Sequence, residues 1–412
     1  MDAAMVDRLA TGEGWALLQS LPAYDESTAL QLQEKLREAF DSDLVAAAMA
    51  QSRLRARAVD KFGDFAAGML FTPDGLEQAT RLSLAARHAH RFAAAGLREV
   101  YDLGCGIGAD AMAFAGLDLV VRAVDSDAAT ARIAAINLRH WPSARVTHAR
   151  ADEVRLPLGE AARHLGLWLD PARRVSGVAD HRGRTRRVFS LDAISPTWDE
   201  VQAFAARTPA TGAKLSPSFP HAALPDGAEA QWSSWHGEVL ECVVWWGPLA
   251  SQPGRTAAVC SARATHVVSE ADAAPAADEP PLPSVTAIRE WLYEPDRAVI
   301  RAGLTGALVA AVDGTELGTG VGYVTSPAAY DLPWARRYRV LEAMPLSPKA
   351  LSRWLRDHGH DRVTIKKRGV TLDADLLRRQ LKMTGRGKGG SEATLVVTRV
   401  AGAQVALVVT PA

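Results

Sequence analysis

Cysteine is scarce in this chain of 412 residues. Cys105, Cys242 and Cys260 are too few and too scattered for a disulfide framework or a zinc site. A reduced, cytoplasmic setting and no metal are the expectations. An excess of either charge is also missing, since Lys plus Arg and Asp plus Glu each total 47. Net charge by itself therefore argues for no partner. No apolar run is long enough to cross a bilayer, and no charged-then-apolar leader follows Met1, so no membrane partner is expected. Internal repeats are absent, as is any Ser/His/Asp or Cys/His arrangement that would demand nucleophilic catalysis. What is present is an apolar fraction of 48%, enough for sizeable cores in two or three domains.

The stretch that organises the chain is Val100-Tyr-Asp-Leu-Gly-Cys-Gly-Ile-Gly-Ala-Asp110. A short apolar strand runs into Gly104, Gly106 and Gly108, and an apolar helical pattern follows. Alternate glycines between a strand and a helix let the backbone approach a ligand where a Cβ would collide. The spacing is G-x-G-x-G, not the G-x-G-x-x-G of dinucleotide folds, which disfavours a nicotinamide dehydrogenase. Leu119–Val124 reads as the next buried strand and ends in Asp125, followed by Ser126. An acid about 20 residues beyond the glycines, at a strand end, is placed to accept two ribose hydroxyls.

The rest falls into order around this unit. Residues 1–95 read as helical, with Asp41 capping one helix and Thr72-Pro73 opening another. Val146–Asp152 reads as a third strand ending in an acid, and Leu165–Leu169 as a fourth running into Asp170-Pro171-Ala-Arg-Arg174. Arg173 and Arg174, with His181-Arg-Gly-Arg-Thr-Arg-Arg187, put cationic charge at a strand end, where open parallel sheets bind ligands. Lys214 stands at the end of a fifth strand and could face the same substrate. Val239–Trp246 and Thr256–Val268 read as the paired last strands. Residues 269–284 have linker composition, and a helical section begins at Ile288, with Pro295 and Asp296 at a helix start. From about Arg336 the pattern is β-α-β-α-β-β, with fifteen Lys or Arg against six acids between 336 and 392. Lys366-Lys-Arg-Gly369 and Arg386-Gly-Lys-Gly-Gly390 look like loops that track phosphates.

The glycine stretch resembles that of class I S-adenosylmethionine-dependent methyltransferases, and the C-terminal module resembles the THUMP-like domain carried by a bacterial group of them. The resemblance implies an α/β, Rossmann-like seven-stranded methyltransferase sheet, with an N-terminal helical region and a small C-terminal α+β domain. The implied division is 1–95 (helices and a cofactor lid), 96–268 (methyltransferase), 269–334 (linker and helical connector) and 335–412 (THUMP-like). It implies S-adenosyl-L-methionine held by Asp102, Gly104, Cys105, Gly106, Gly108, Asp125 and Ser126. Asp152 takes the adenine amino group in that scheme, and Lys61, Phe71, Thr72 and Gln78 belong to the lid. Asp170 and the carbonyl of Pro171 would orient the methyl acceptor. Amino-methylating relatives follow this point with Pro and then an aromatic residue, and here Ala-Arg-Arg stands instead. True THUMP domains bind RNA, so RNA (tRNA or rRNA) is the implied partner. A small anionic metabolite, gripped by Arg173, Arg174 and Lys214, is the alternative substrate, and a non-catalytic cofactor- or RNA-binding factor is the other alternative.

Overall fold

A computed structural model describes residues 1–157, 159–173, 191–208, 210–276, 280–382 and 391–412. Two compact units divide it: Met1–Leu215 with Val243–Ser251, and Ser216–Cys242 with Gln252–Ala412.

The first unit opens with helices α1 (Ala3–Ala10), α2 (Gly12–Ser20), α3 (Ala29–Leu36), α4 (Ser42–Phe62), α5 (Pro73–Gln78) and α6 (Leu82–Ala94). Their starts are written in short polar residues. Asp2, Thr11, Asp41 and Thr72 each accept a first-turn amide, and Pro73 occupies the opening of α5, where its missing N–H costs nothing. Five strands follow: β1 (Glu99–Leu103), β2 (Val120–Asp125), β3 (Ala144–His148), β4 (Leu165–Leu169) and β5 (Ala210–Leu215). They lie parallel in the order β3-β2-β1-β4-β5. Helices α7 (Ala109–Gly116), α8 (Ala128–Asn137) and α9 (Trp198–Arg207) connect them. Every residue of α7 from Ala109 to Ala115 is buried, which explains its almost uninterrupted apolar sequence. The strand order reverses beside β1, so β1 and β4 flank the crevice where open sheets take ligands.

A further strand, β7 (Glu238–Trp246), follows β6 (Glu229–Trp235), and its residues 243–246 belong to the first unit, beside β5. In the second unit, β6 pairs parallel with β8 (Gly254–Cys260), which pairs antiparallel with β9 (Thr265–Ser269). The expectation of one strand over 256–268 is thereby corrected. A turn closed by Ser261, whose hydroxyl takes the amides of Arg263 and Ala264, splits it in two. After α10 (Glu270–Ala273) comes β10 (Trp291–Pro295), where a helical section was expected. The helix start expected at Pro295 and Asp296 is present, with Asp296 capping α11 (Arg297–Arg301), and α12 (Thr305–Ala311) follows.

The remaining elements are β11 (Thr315–Glu316), β12 (Val324–Ser326), β13 (Ala335–Pro345), α13 (Pro348–Asp357), β14 (His360–Lys367), α14 (Ala374–Gln380), β15 (Ser391–Val400) and β16 (Ala403–Pro411). The expected β-α-β-α-β-β order from β13 onward is present. Its sheet, however, extends past the expected boundary at 335, in the order β11-β12-β10-β13-β16-β15-β14. Trp291, Leu292 and Tyr293 pair with Arg339, Tyr338 and Arg337, so residues expected as connector are sheet. Aromatic and aliphatic side chains fit a pleated, half-buried surface, and tertiary pairing overrides a helical spacing. For the same reason the two units divide elsewhere than at 268/269: α11 packs on β6 and β8 within the second unit.

Candidate cofactor and acceptor site

Gly104, Gly106 and Gly108 all have positive φ, between 55° and 90°, a conformation that L side chains rarely adopt. At Gly104 there is a second reason for glycine. A Cβ there would lie 2.9 Å from the carbonyl oxygen of Asp170, so β4 can approach the loop only because the side chain is missing. No atom lies within 4 Å of a Cβ built on Gly106, so the loop is open above this residue. Gly104 and Cys105 donate to the Val124 carbonyl, which ties the loop to the end of β2.

Asp125, the last residue of β2, accepts from the amides of Gly106 and Asp127 at 2.9 Å each. Burial pushes its carboxyl up, against the pull of those two amides. Asp102 lies one strand over and is fully buried, and neither carboxylate oxygen has a hydrogen-bond partner among the described residues. Burial, and then the charges of Asp110 and Asp170, push its carboxyl well above the ordinary range. A buried carboxylate without a donor is costly and calls for a ligand or another physical reason. Cys105 is buried and its thiol is pushed up, so it is no nucleophile. Ser126 is exposed, and its carbonyl takes a hydrogen bond with His148.

The segment before the loop is pinned against it. Buried Asn137, at the end of α8, accepts from the Leu70 amide and donates to the carbonyls of Leu70 and Ile107, all at 2.8–3.0 Å. Ile107 in turn fills the space over Gly75 in α5. The segment 70–78 thus sits beside the glycine loop, where a lid was expected. The individual side chains do other work. Phe71 is buried on Phe62, and its backbone is held on both sides by Gln51. Thr72 caps α5. Lys61 gives its ammonium to the carbonyls of Leu76, Glu77 and Ala79, closing the C-terminal end of α5, and burial with the nearby charges of Lys214 and Arg81 brings it down to about 8. Gln78 is exposed.

Across the crevice, Asp170 and Lys214 come together from the ends of β4 and β5, with Lys214 Nζ 2.5 Å from Asp170 Oδ2. These two were expected in separate roles. The ammonium also donates to Thr80 Oγ1 at 2.8 Å, Thr80 donates to Asp110 Oδ2 at 2.7 Å, and His88 Nδ1 lies 2.8 Å from Asp110 Oδ1. Thr80, His88 and Asp110 are buried, and the His88 ring lies 4.6 Å from that of Trp168. Burial pushes the Asp110 carboxyl up, but His88, Lys214 and Thr80 together bring it below the ordinary range. Asp110 and His88 were not singled out from the sequence. The signal was there: one acid inside the otherwise apolar Ala109–Ala115 must be buried, and a buried acid needs donors.

Asp152 lies beyond the end of β3 in a short 3-10 turn, exposed, with both oxygens 3.0 Å from the Arg150 guanidinium. Pro171 is buried, directly after Asp170. The backbone of Arg173 pairs with Ile194, while the Arg173 side chain, Arg174 and the arginines to 187 lie outside the described residues, as does Arg386–Gly390. In the second unit, Lys366 and Arg368 are corrected from phosphate-tracking residues to structural ones. Both bind Glu294, at 2.5 and 2.9 Å, and Arg368 also stacks over Tyr323.

Residues 335–411 match the model of a family described as THUMP domain-like, and residues 2–58 match one described as a domain of unknown function. Two curated proteins of Mycobacterium tuberculosis, from strains CDC 1551 / Oshkosh and H37Rv, are each 29% identical over 362 residues, covering 84% of this chain and 90% of theirs. Each is named an uncharacterized S-adenosylmethionine-dependent methyltransferase. A crystal structure from Porphyromonas gingivalis W83, assigned as a methyltransferase, aligns with a TM-score of 0.68 at 19% identity, over 95% of this chain and 100% of that one. At that identity the likeness is one of fold.

Proposed function

We propose that this S-adenosylmethionine-dependent methyltransferase acts on RNA. The observation that carries the RNA reading is the THUMP-like module at 335–411, the kind of domain that in its true form binds RNA. The excess of Lys and Arg between 336 and 392 supports it, although Lys366 and Arg368 no longer count toward it.

The residues at the crevice fit the cofactor. The loop is open above Gly106, and the orphaned Asp102 and the Asp125 carboxylate flank it. When bound, S-adenosylmethionine supplies a methyl group on a cationic sulfur, activated enough that its transfer needs positioning more than acid catalysis. Asp125 accepts the ribose hydroxyls, and Asp102, whose carboxyl burial pushes up, gives up its proton beneath a cationic ligand. Asp152 reaches an adenine amino group by exchanging its Arg150 partner. The 70–78 segment excludes water beside the loop. Asp170, with the Pro171 carbonyl, accepts a hydrogen bond from the acceptor and takes its proton at a carboxylate oxygen. Because Lys214 already neutralises Asp170, this mouth favours an uncharged base edge over an anionic metabolite. A base inside a helix must be flipped out or already single-stranded to reach it.

The test has two arms. Calorimetry measures S-adenosylmethionine binding to wild type and Asp125→Ala, and radiolabelled methyl transfer is run on total RNA from a strain lacking the gene. Binding that Asp125→Ala abolishes, with label entering RNA, is the expected result. Binding without label in RNA overturns the RNA substrate, and absent binding overturns the cofactor site.

A further inference from the structure

We propose that Lys214 is a positioning residue of the acceptor site, which holds the Asp170 carboxylate ionised and aimed at the crevice, and which is itself anchored from within by Thr80, Asp110 and His88. The inference rests on the reading of Asp170 as the group that meets the acceptor. It reassigns Lys214 from touching substrate to acting through Asp170.

The geometry gives the reason. Lys214 is only 12% exposed while Asp170 is 32% exposed, so the carboxylate, not the ammonium, is the member that reaches toward solvent. The ammonium bonds Asp170 and Thr80 in defined directions. Thr80 accepts from Lys214 and donates its own hydroxyl proton to Asp110, so its orientation is set by both neighbours. Asp110 is fixed in turn by His88, which is packed against Trp168 and Trp245. Charges therefore alternate inward from the mouth, Asp170, Lys214, Asp110, and the His88 ring closes the series with its hydrogen bond to Asp110. Hydrogen bonds between charged groups inside a poorly solvated region are short and strong, and removing one member leaves its partner uncompensated.

The ladder also ties two functional parts together. Thr80 follows α5, the helix packed on the glycine loop through Ile107, while Lys214 and Asp170 stand on the sheet. The Asp170 carboxylate and the chain just after α5 are thus joined through the Lys214 ammonium. Among the described residues, Asp102 from β1 and Lys61 from α4 also face Lys214.

The experiment compares wild type, Lys214→Met, Lys214→Arg, Thr80→Val and Thr80→Ser in methyl transfer to total RNA across pH. An opposite charge within a few ångströms shifts a carboxyl by about 1–3 pH units. Lys214→Met is therefore expected to move the acid limb of the profile up by about one unit or more. Thr80→Val moves it the same way by less, and Lys214→Arg and Thr80→Ser restore it in whole or part. If Lys214→Met lowers the rate but leaves the limb where it was, Lys214 is merely structural and the proposal is overturned. Should wild type put no label into RNA, the RNA reading fails alone. The pair is then decided by melting temperatures of Lys214→Met, Asp170→Asn and the double variant. Non-additive losses support the strut, and additive losses overturn it.

Discussion

Glu294 in the second unit accepts from Lys366, Arg368 and Tyr338, whereas Asp102 in the first is buried more completely and accepts from none of the described residues. Burial raises both carboxyls. At Glu294 the hydrogen bond from Lys366 and the charges of Lys366 and Arg368 more than offset it, and the group ends below its ordinary value. At Asp102 nearby acids add to it instead. The contrast separates two uses of the same side chain. A carboxylate supplied with donors by its own fold is a structural brace. One left without donors among the described residues, beneath an open glycine loop, is the group that the proposed function assigns to a cationic ligand. The Asp170–Lys214 pair lies between the two, braced on the inside and half-open on the outside.

The largest test of this contrast is at the satisfied end. Glu294→Ala leaves two cations uncompensated and is expected to cost about 3 kcal/mol in denaturant unfolding. Replacing Lys366 and Arg368 by Met in the same chain should recover part of that loss. If Glu294→Ala unfolds like wild type, the brace is not one. Next is Asn137→Ala, which strands the Leu70 amide and two carbonyls. A loss of about 2 kcal/mol is expected, together with weaker S-adenosylmethionine binding by calorimetry, because the clamp between segment and loop is gone.

The orphan acid gives an effect of opposite sign. Its folded pKa is raised, so above the ordinary carboxylate range and up to the folded value the native state keeps a proton that the unfolded chain has released. Asp102 therefore lowers stability as pH rises through that window, and the penalty is absent below it. Asp102→Asn should raise the melting temperature of the ligand-free protein more at pH 8 than at pH 4, while weakening S-adenosylmethionine binding about tenfold. A lower melting temperature at both pH values would mean that Asp102 is a structural acid after all. The smallest effect is expected at Asp152→Ala. Its exposed partner Arg150 loses little, so melting should be unchanged and cofactor affinity should fall about threefold. Unchanged affinity removes Asp152 from the cofactor set.

Much of this was legible from the residues in order. The parallel strands, the caps at Asp41 and Thr72, the glycine loop and Asp125 at a strand end all follow from periodicity and short-range chemistry. The C-terminal order of strands and helices was legible for the same reason. That segment 70–78 belongs beside the glycine loop was legible, but the contacts of its side chains were not. Lys61 sits 15 residues or more from the carbonyls it binds, and nothing local marks them. The composition of 269–284 suggested a linker, yet α10 lies there and Ala276 and Leu282 are buried in cores, and the composition said nothing about which sheet the strands on either side would join.

The sequence by itself determined where the backbone could turn, where apolar residues recur at two or three-and-a-half positions, and where glycine permits a left-handed loop. Each of those depends on residues within a few positions of one another. Only the tertiary structure decided which charges meet. Lys214 finds Asp170 from the neighbouring strand and Thr80 from a loop 134 residues away, and Lys366 finds Glu294 across 72 residues. The chain shows an acid or a base at each of those positions, but whether the group is satisfied, orphaned or half-open depends on the donors that folding brings to it.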